Sequence, residues 1–111
     1  MIGLGPSSRY FFYRPPADMR KSFDGLCALV NSGMKRDPMS GDVFLFVNRR
    51  RSHLKCLCWD RNGYALFYKR LEAGTFELPK EDKPTWTQVV MLLEGISLKT
   101  VKYRRRYAVK R

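Results

Sequence analysis

The sequence has one histidine, three cysteines and no long apolar run, and each of these scarcities excludes a class of protein. A membrane-spanning helix needs about 20 consecutive apolar residues, and the first residues lack the basic start and apolar stretch of a signal peptide. An odd number of cysteines does not form a disulfide framework. We therefore expect a cytoplasmic protein without a membrane partner.

The usual sets of catalytic residues are missing as well. On an unbroken strand, His53 alternates to the face opposite Cys56 and Cys58, so these three residues do not form a metal site. No glycine-rich loop ends in Lys-Ser or Lys-Thr, and no Gly-x-Ser-x-Gly elbow is present. Metal-dependent phosphoryl transfer needs several converging carboxylates, whereas Asp60 is the only acid within residues 43–71. We expect no enzyme, no metal and no cofactor.

Positive charge is abundant, with 22 Lys and Arg residues against 10 Asp and Glu residues and a net charge of +12. Residues 43–71 carry seven basic residues and one acidic residue, and residues 99–111 carry seven basic residues and none that are acidic. Two separate basic stretches predict a surface for a polyanion. A solvated face with a disordered tail is the alternative interpretation. Membrane lipid is disfavoured, because no amphipathic helix accompanies the basic stretches.

Length and hydrophobic pattern predict one α+β domain. The 111 residues, of which 44% are hydrophobic, fit a single domain at residues 1–98 followed by a basic tail or short helix at residues 99–111. Apolar residues at helical spacing predict a helix over about residues 19–32, capped by Asp18. A capping box of Thr85 and Gln88 predicts a second helix that ends at Gly95. Strand-like runs lie at residues 9–13, 43–47, 53–60 and 64–71. We expect an antiparallel meander sheet of four or five strands, with two main helices packed on one face and a basic C-terminal extension.

The dipeptide Asn62-Gly63 predicts a hairpin whose register can be written out. As a two-residue loop, it places Lys55 opposite Arg70, a like-charge pair that destabilises a sheet unless an anion lies across it. Aromatic rings on the same face are suited to stacking on bases: Trp59, Tyr64 and Tyr68. The alternative is that these rings pack under a helix and the cations lie at the margin of the sheet.

Three adjacent arginines at a hairpin tip are the sharpest signal. Their nearest acids in the sequence are Asp42 and Asp60, and guanidinium groups bind phosphate with two parallel hydrogen bonds. Pairing with acids elsewhere in the fold is the alternative. The predicted phosphate contacts are Arg49, Arg50, Arg51, Lys55, Lys69, Arg70, Lys102, Arg104, Arg105 and Arg106.

Several sequence motifs together resemble the insertion sequence 66 family, and specifically its second-open-reading-frame product. The resemblance covers about residues 8–103. Its motifs are Asp18-Met19-Arg20-Lys21-Ser22-Phe23-Asp24-Gly25-Leu26, Asp37-Pro38-Met39-Ser40-Gly41, Phe46-Val47-Asn48-Arg49-Arg50-Arg51, Leu54-Lys55, Trp59-Asp60 and Tyr68-Lys69-Arg70-Leu71-Glu72-x-Gly74-x-Phe76.

The resemblance implies a small bacterial accessory protein of transposition, encoded beside a separate transposase, and it implies no catalytic residues. Together with the charge pattern, it favours a non-catalytic accessory protein that binds DNA and has the transposase of the same element as a further partner. A protein adaptor that docks on the transposase is the second hypothesis, because arginine beside aromatic rings also suits protein interfaces. RNA binding is the third.

Overall fold

Four strands form one sheet in the computed structural model, which describes residues 4–95. The strands lie side by side in chain order: β1 (Tyr10–Phe12), β2 (Val43–Val47), β3 (His53–Asp60) and β4 (Gly63–Arg70). All residues of β2 are buried, as expected for a central strand covered on both faces. The predicted α+β class is confirmed.

The sheet is mixed, so the predicted purely antiparallel meander is wrong for the first strand. The pairs β2–β3 and β3–β4 are antiparallel as predicted, but β1 runs parallel to β2. Parallel neighbours need a long crossover connection. Residues 13–42 supply one, and they contain the first helix.

The first helix, α1 (Phe23–Ala28), continues into a π-helical turn at Leu29–Gly33. The helix begins after Ser22 and has no side-chain cap, so the predicted start at Asp18 is wrong. The Asp18 carboxylate instead accepts a hydrogen bond from the Arg20 N–H at 2.9 Å. This local bond closes a short turn, which competes with helix initiation.

The second helix, α2 (Trp86–Glu94), has the ends that the sequence predicts. The Thr85 hydroxyl accepts from the Gln88 N–H, and the Gln88 side chain accepts from the Thr85 N–H at 2.9 Å. Gly95 ends the helix with φ 74°, a left-handed conformation that favours glycine.

The two helices lie on opposite faces of the sheet, so the expectation that both pack on one face is wrong. Leu26 and Val30 pack with Phe44 and Phe46 of β2 on one side. Val89 and Leu92 pack on the other side with the remaining residues of β2, which are Val43, Leu45 and Val47. A strand that is apolar on both sides needs a cover on both sides, and each helix supplies one.

The β3–β4 hairpin has the predicted faces but a different register. Asp60 pairs with Gly63, and Arg61 takes the left-handed conformation with φ 59°. Lys55 consequently lies opposite Tyr68 instead of Arg70. Each residue of β3 pairs with the β4 residue two positions before the predicted one. A shift by an even number of residues leaves each side chain on its predicted face of the sheet.

No helix within residues 4–95 combines the length and the apolar content needed to cross a membrane. The predicted division between a domain at residues 1–98 and a tail at residues 99–111 falls outside this range and stays a prediction.

A candidate nucleic-acid interface

Residues 48–52 form the turn between β2 and β3, which we call the arginine turn. Hydrogen bonds to Asn48 stabilise it. The Arg51 N–H donates to the Asn48 carbonyl oxygen at 3.0 Å. The side-chain oxygen of Asn48 accepts from the Ser52 N–H at 2.9 Å. These bonds fix the backbone, and the two residues at its tip are exposed: Arg49 and Arg50.

Arg51 occupies a backbone conformation that favours glycine, with φ 58°. Left-handed geometry costs a residue with a side chain about 1–2 kcal/mol. The surrounding chain enforces it, because the Arg51 carbonyl accepts from the Phe76 N–H at 2.7 Å and the Ser52 carbonyl accepts from the Leu71 N–H at 2.8 Å. Arg51 therefore occupies a position where glycine would fit with less backbone strain. Backbone strain of this kind concentrates at functional positions.

Within residues 4–95, the three arginines of the arginine turn differ in their pairing from four of the six other arginines. Four arginines elsewhere make ion pairs of 2.6–2.8 Å with carboxylates: Arg9 with Asp42, Arg14 with Asp82, Arg20 with Asp18, and Arg70 with Glu72. Within residues 4–95, no carboxylate makes an ion pair with Arg49, Arg50 or Arg51. Three adjacent guanidinium groups without a carboxylate repel one another, so an external anion is favoured there.

A second group of side chains lies beside the arginine turn, on the face of the sheet that α1 covers in part. His53 and Arg70 are a cross-strand pair at the same end of the sheet as the turn. With Tyr68 they line a shallow cavity of about 200 Å³. The His53 ring accepts or donates a 2.7 Å hydrogen bond with the Ser52 hydroxyl, which connects this cavity to the arginine turn.

Two predicted phosphate contacts have other partners. The Lys55 side chain is buried, at 5% exposure, and its ammonium donates to the carbonyl oxygens of Met19 and Lys21 at 2.8 and 2.7 Å. The Lys69 ammonium donates to the Leu93 carbonyl oxygen at 2.6 Å. That oxygen lies in the last turn of α2, where cations are favourable.

Two predicted stacking residues lie at the far end of the sheet. Trp59 and Tyr64 form an edge-to-face pair with 5.0 Å between ring centres. Four residues of strand separate Trp59 from Lys55, which corresponds to roughly 14 Å. Burial raises the pKa of Tyr64 to about 12, with a contribution from its hydrogen bond with Cys27. Tyr64 packs against the core cluster that contains Leu26 of α1, whereas Tyr68 lies near the arginine turn.

Arg14 adds a cation that the sequence does not reveal. It lies in a cleft of about 280 Å³ beside the arginine turn, and its guanidinium group is 4.7 Å from the centre of the Phe12 ring. Asp82, its ion-pair partner, is 68 residues away in sequence. Such a distant partner leaves no local pattern to find.

No metal site is formed by His, Cys, Asp and Glu side chains within residues 4–95. Cys56 and Cys58 are buried in the core, as predicted. Burial raises the pKa of both thiols, which disfavours the thiolate needed for metal binding or nucleophilic attack. The predicted tail contacts, Lys102, Arg104, Arg105 and Arg106, lie outside the described residues.

Comparison with known proteins gives a consistent family assignment. The family described as "IS66 Orf2 like protein" matches residues 8–103. Two proteins of Sinorhizobium fredii are similar to this chain. "Uncharacterized protein y4jC" is 40% identical over 79 residues, covering 71% of this chain and 68% of the relative. "Uncharacterized protein y4hO" is 34% identical over 82 residues, covering 74% and 71%. No solved structure matches.

Proposed function

We propose that the protein acts in transposition by binding DNA, because the chain belongs to the IS66 Orf2-like family. This is a family of accessory, non-catalytic proteins of insertion-sequence transposition. The arginine turn is the proposed phosphate-binding element. Its contacts are to the sugar–phosphate backbone, so the affinity has little dependence on base sequence.

The observation that carries this proposal is the contrast between the arginine turn and the paired arginines. Arg49, Arg50 and Arg51 are exposed, closely spaced and without a carboxylate partner in the described chain. A phosphate backbone supplies regularly spaced anions, and binding it releases counterions. Because the backbone of the turn is already fixed, little backbone conformational entropy is lost when the anion binds.

Further phosphate contacts extend the proposal to about six. Arg70 adjoins the turn but is not counted among these contacts, because Glu72 pairs with it. About three contacts come from four basic residues of the tail: Lys102, Arg104, Arg105 and Arg106. Lys55 and Lys69 are left out, because their ammonium groups already donate to backbone carbonyls.

The test compares two triple variants that lose the same charge. The first replaces the arginine turn with Arg49→Ala, Arg50→Ala and Arg51→Gly, with glycine chosen for the left-handed position. The second is the control, and it removes exposed cations elsewhere: Lys21→Ala, Arg61→Gly and Lys80→Ala. Binding to a duplex of about 20 base pairs is measured between about 50 and 200 mM salt.

For the unaltered protein we expect log affinity to fall with log salt at a slope of about −5. The arginine-turn variant should reduce the slope by about 2.7, whereas the control should leave it within about 1. Equal slopes for the two variants would contradict the proposal, since only overall charge would then matter. The same variants are assayed for binding to the transposase of the element after nuclease treatment. If only transposase binding were lost, an adaptor would replace DNA binding as the function.

A further inference from the structure

Tyr68 presents an aromatic ring to solvent beside the arginine turn. Its residue is 51% exposed, which places it among the most exposed large hydrophobic residues of the described chain. An exposed tyrosine alone is ordinary. The surroundings of Tyr68 are unusual, because other side chains of the sheet contact its ring.

Two side chains hold the Tyr68 ring against the sheet. The Lys55 ammonium lies 4.6 Å from the ring centre, a cation–π contact with a buried charge. The His53 ring packs at 5.8 Å with an interplanar angle of 40°. Lys55 is itself fixed by two backbone carbonyls. The ring therefore keeps one orientation, and the remaining exposed surface is available to a planar group.

Cationic side chains lie beside this exposed surface, although one of them, Arg70, is paired with Glu72. Arg70 lies two residues along the same strand and shares the cavity with Tyr68 and His53. The arginine turn joins the cavity through the hydrogen bond between Ser52 and His53. A polyanion bound to the arginine turn therefore passes within reach of the ring.

We propose that Tyr68 stacks on an unpaired base, so that the protein binds single-stranded DNA or an unpaired end in addition to the duplex backbone. This inference rests on the proposed phosphate binding by the arginine turn. In a continuous duplex the base faces are stacked on one another and do not reach a side chain, whereas every unpaired base offers a face to an aromatic ring.

The test measures the binding of Tyr68→Leu and Tyr68→Phe to a fluorescent oligothymidylate and to a duplex, each of about 20 nucleotides or base pairs. Leucine keeps an apolar side chain but removes the ring, and phenylalanine restores the ring. We expect Tyr68→Leu to bind the single strand about tenfold more weakly and the duplex within about twofold of the unaltered protein. Phenylalanine should recover most of the single-strand affinity.

A loss of single-strand affinity below about twofold in Tyr68→Leu would overturn the inference. So would an equal loss for the two ligands, because the ring would then not discriminate between them. Retained duplex binding also shows that the variant is folded. The arginine-turn variant separates the two proposals. If it weakens both ligands while Tyr68→Leu weakens neither, phosphate binding stands and stacking fails. If it weakens neither, the proposed function itself fails.

Discussion

The ammonium of Lys55 lies 4.6 Å from the centre of the Tyr68 ring, and the two residues are directly opposite each other on β3 and β4. The same ammonium donates to the carbonyl oxygens of Met19 and Lys21. Lys55 therefore connects three parts of the fold: the sheet, the segment before α1 and the exposed ring. The positive charge of Lys55 is therefore stabilised by groups of the protein itself.

Replacing Lys55 with methionine should destabilise the fold and leave duplex binding unchanged. Methionine keeps the length of the side chain but leaves two carbonyl oxygens without their donor, at a cost of about 1–3 kcal/mol in the free energy of unfolding. Urea denaturation measures this loss. In the salt series, the slope should stay within about 0.5 of the unaltered value. A slope reduced by about 0.9 would show that Lys55 does contact a phosphate.

The strands, the second helix and the antiparallel pairing of β2, β3 and β4 could be predicted from local sequence, whereas the pairing of β1 and the placement of the helices could not. The hydrophobic alternation of β3 and β4 predicts the faces, and the capping box of Thr85 and Gln88 predicts the start of α2. The parallel pairing of β1 depends on a crossover of 30 residues, which local patterns do not encode. The uninterrupted apolar sequence of β2 does indicate that both faces of this strand are covered. In a strand with one solvated face, apolar and polar residues alternate.

The candidate interface was predictable where it depends on sequence neighbours. Three adjacent arginines in a hairpin turn are visible in the sequence, and the structure leaves them exposed. The hydrogen-bond partners of single lysines could not be predicted, because Lys55 and Lys69 donate to carbonyl oxygens 24–36 residues away in sequence. The shifted hairpin register likewise depends on Arg61 taking a left-handed conformation, whereas the Asn62-Gly63 dipeptide predicts positive φ at Asn62 and Gly63.

Substitutions at Arg51 should separate backbone strain from charge. Arg51→Gly and Arg51→Ala remove the same charge, so each should reduce the slope of the salt series by about 0.9. Only glycine adopts φ 58° without strain, so the glycine variant should be about 1 kcal/mol more stable than the alanine variant. Urea denaturation of the pair measures the difference.

Arg50 provides the matched control for Arg51. It is exposed in the same turn, and its φ is not in the left-handed region. Glycine there should be less stable than alanine by a few tenths of a kcal/mol or more, because glycine loses more conformational freedom on folding. If glycine were favoured equally at both positions, strain at Arg51 would not explain the result.

The Asp18 carboxylate should titrate well below its ordinary range. Hydrogen bonds from the Arg20 side chain and then from its N–H lower the pKa of Asp18 from 3.8 to about 2. The folded state therefore favours the charged form. The resulting stabilisation is complete above about pH 4 and is lost as the pH falls towards 2. A carbon-detected NMR titration measures the pKa, which should rise in Arg20→Ala. A value near 3.8 in the unaltered protein would contradict the ion pair.

Glu72 should restrain DNA binding, because it neutralises Arg70 beside the Tyr68 ring. The Arg70 Nε donates to the Glu72 carboxylate at 2.8 Å, and both side chains are exposed. An exposed ion pair contributes less than about 1 kcal/mol to stability, so Glu72→Gln should leave the free energy of unfolding almost unchanged. Free of its partner, Arg70 can bind a phosphate, and the slope of the salt series should steepen by about 0.9.

The control for Glu72→Gln is Glu81→Gln, which removes the same charge from another exposed position. Long-range repulsion of DNA is weakened similarly in the two variants, and it is screened beyond about 10 Å at 0.1 M salt. A new phosphate contact is expected only when Arg70 is released. The slope should therefore steepen for Glu72→Gln and stay constant for Glu81→Gln. Equal changes in both variants would mean that Arg70 does not contact the DNA, and the interface would then be confined to the arginine turn and the tail.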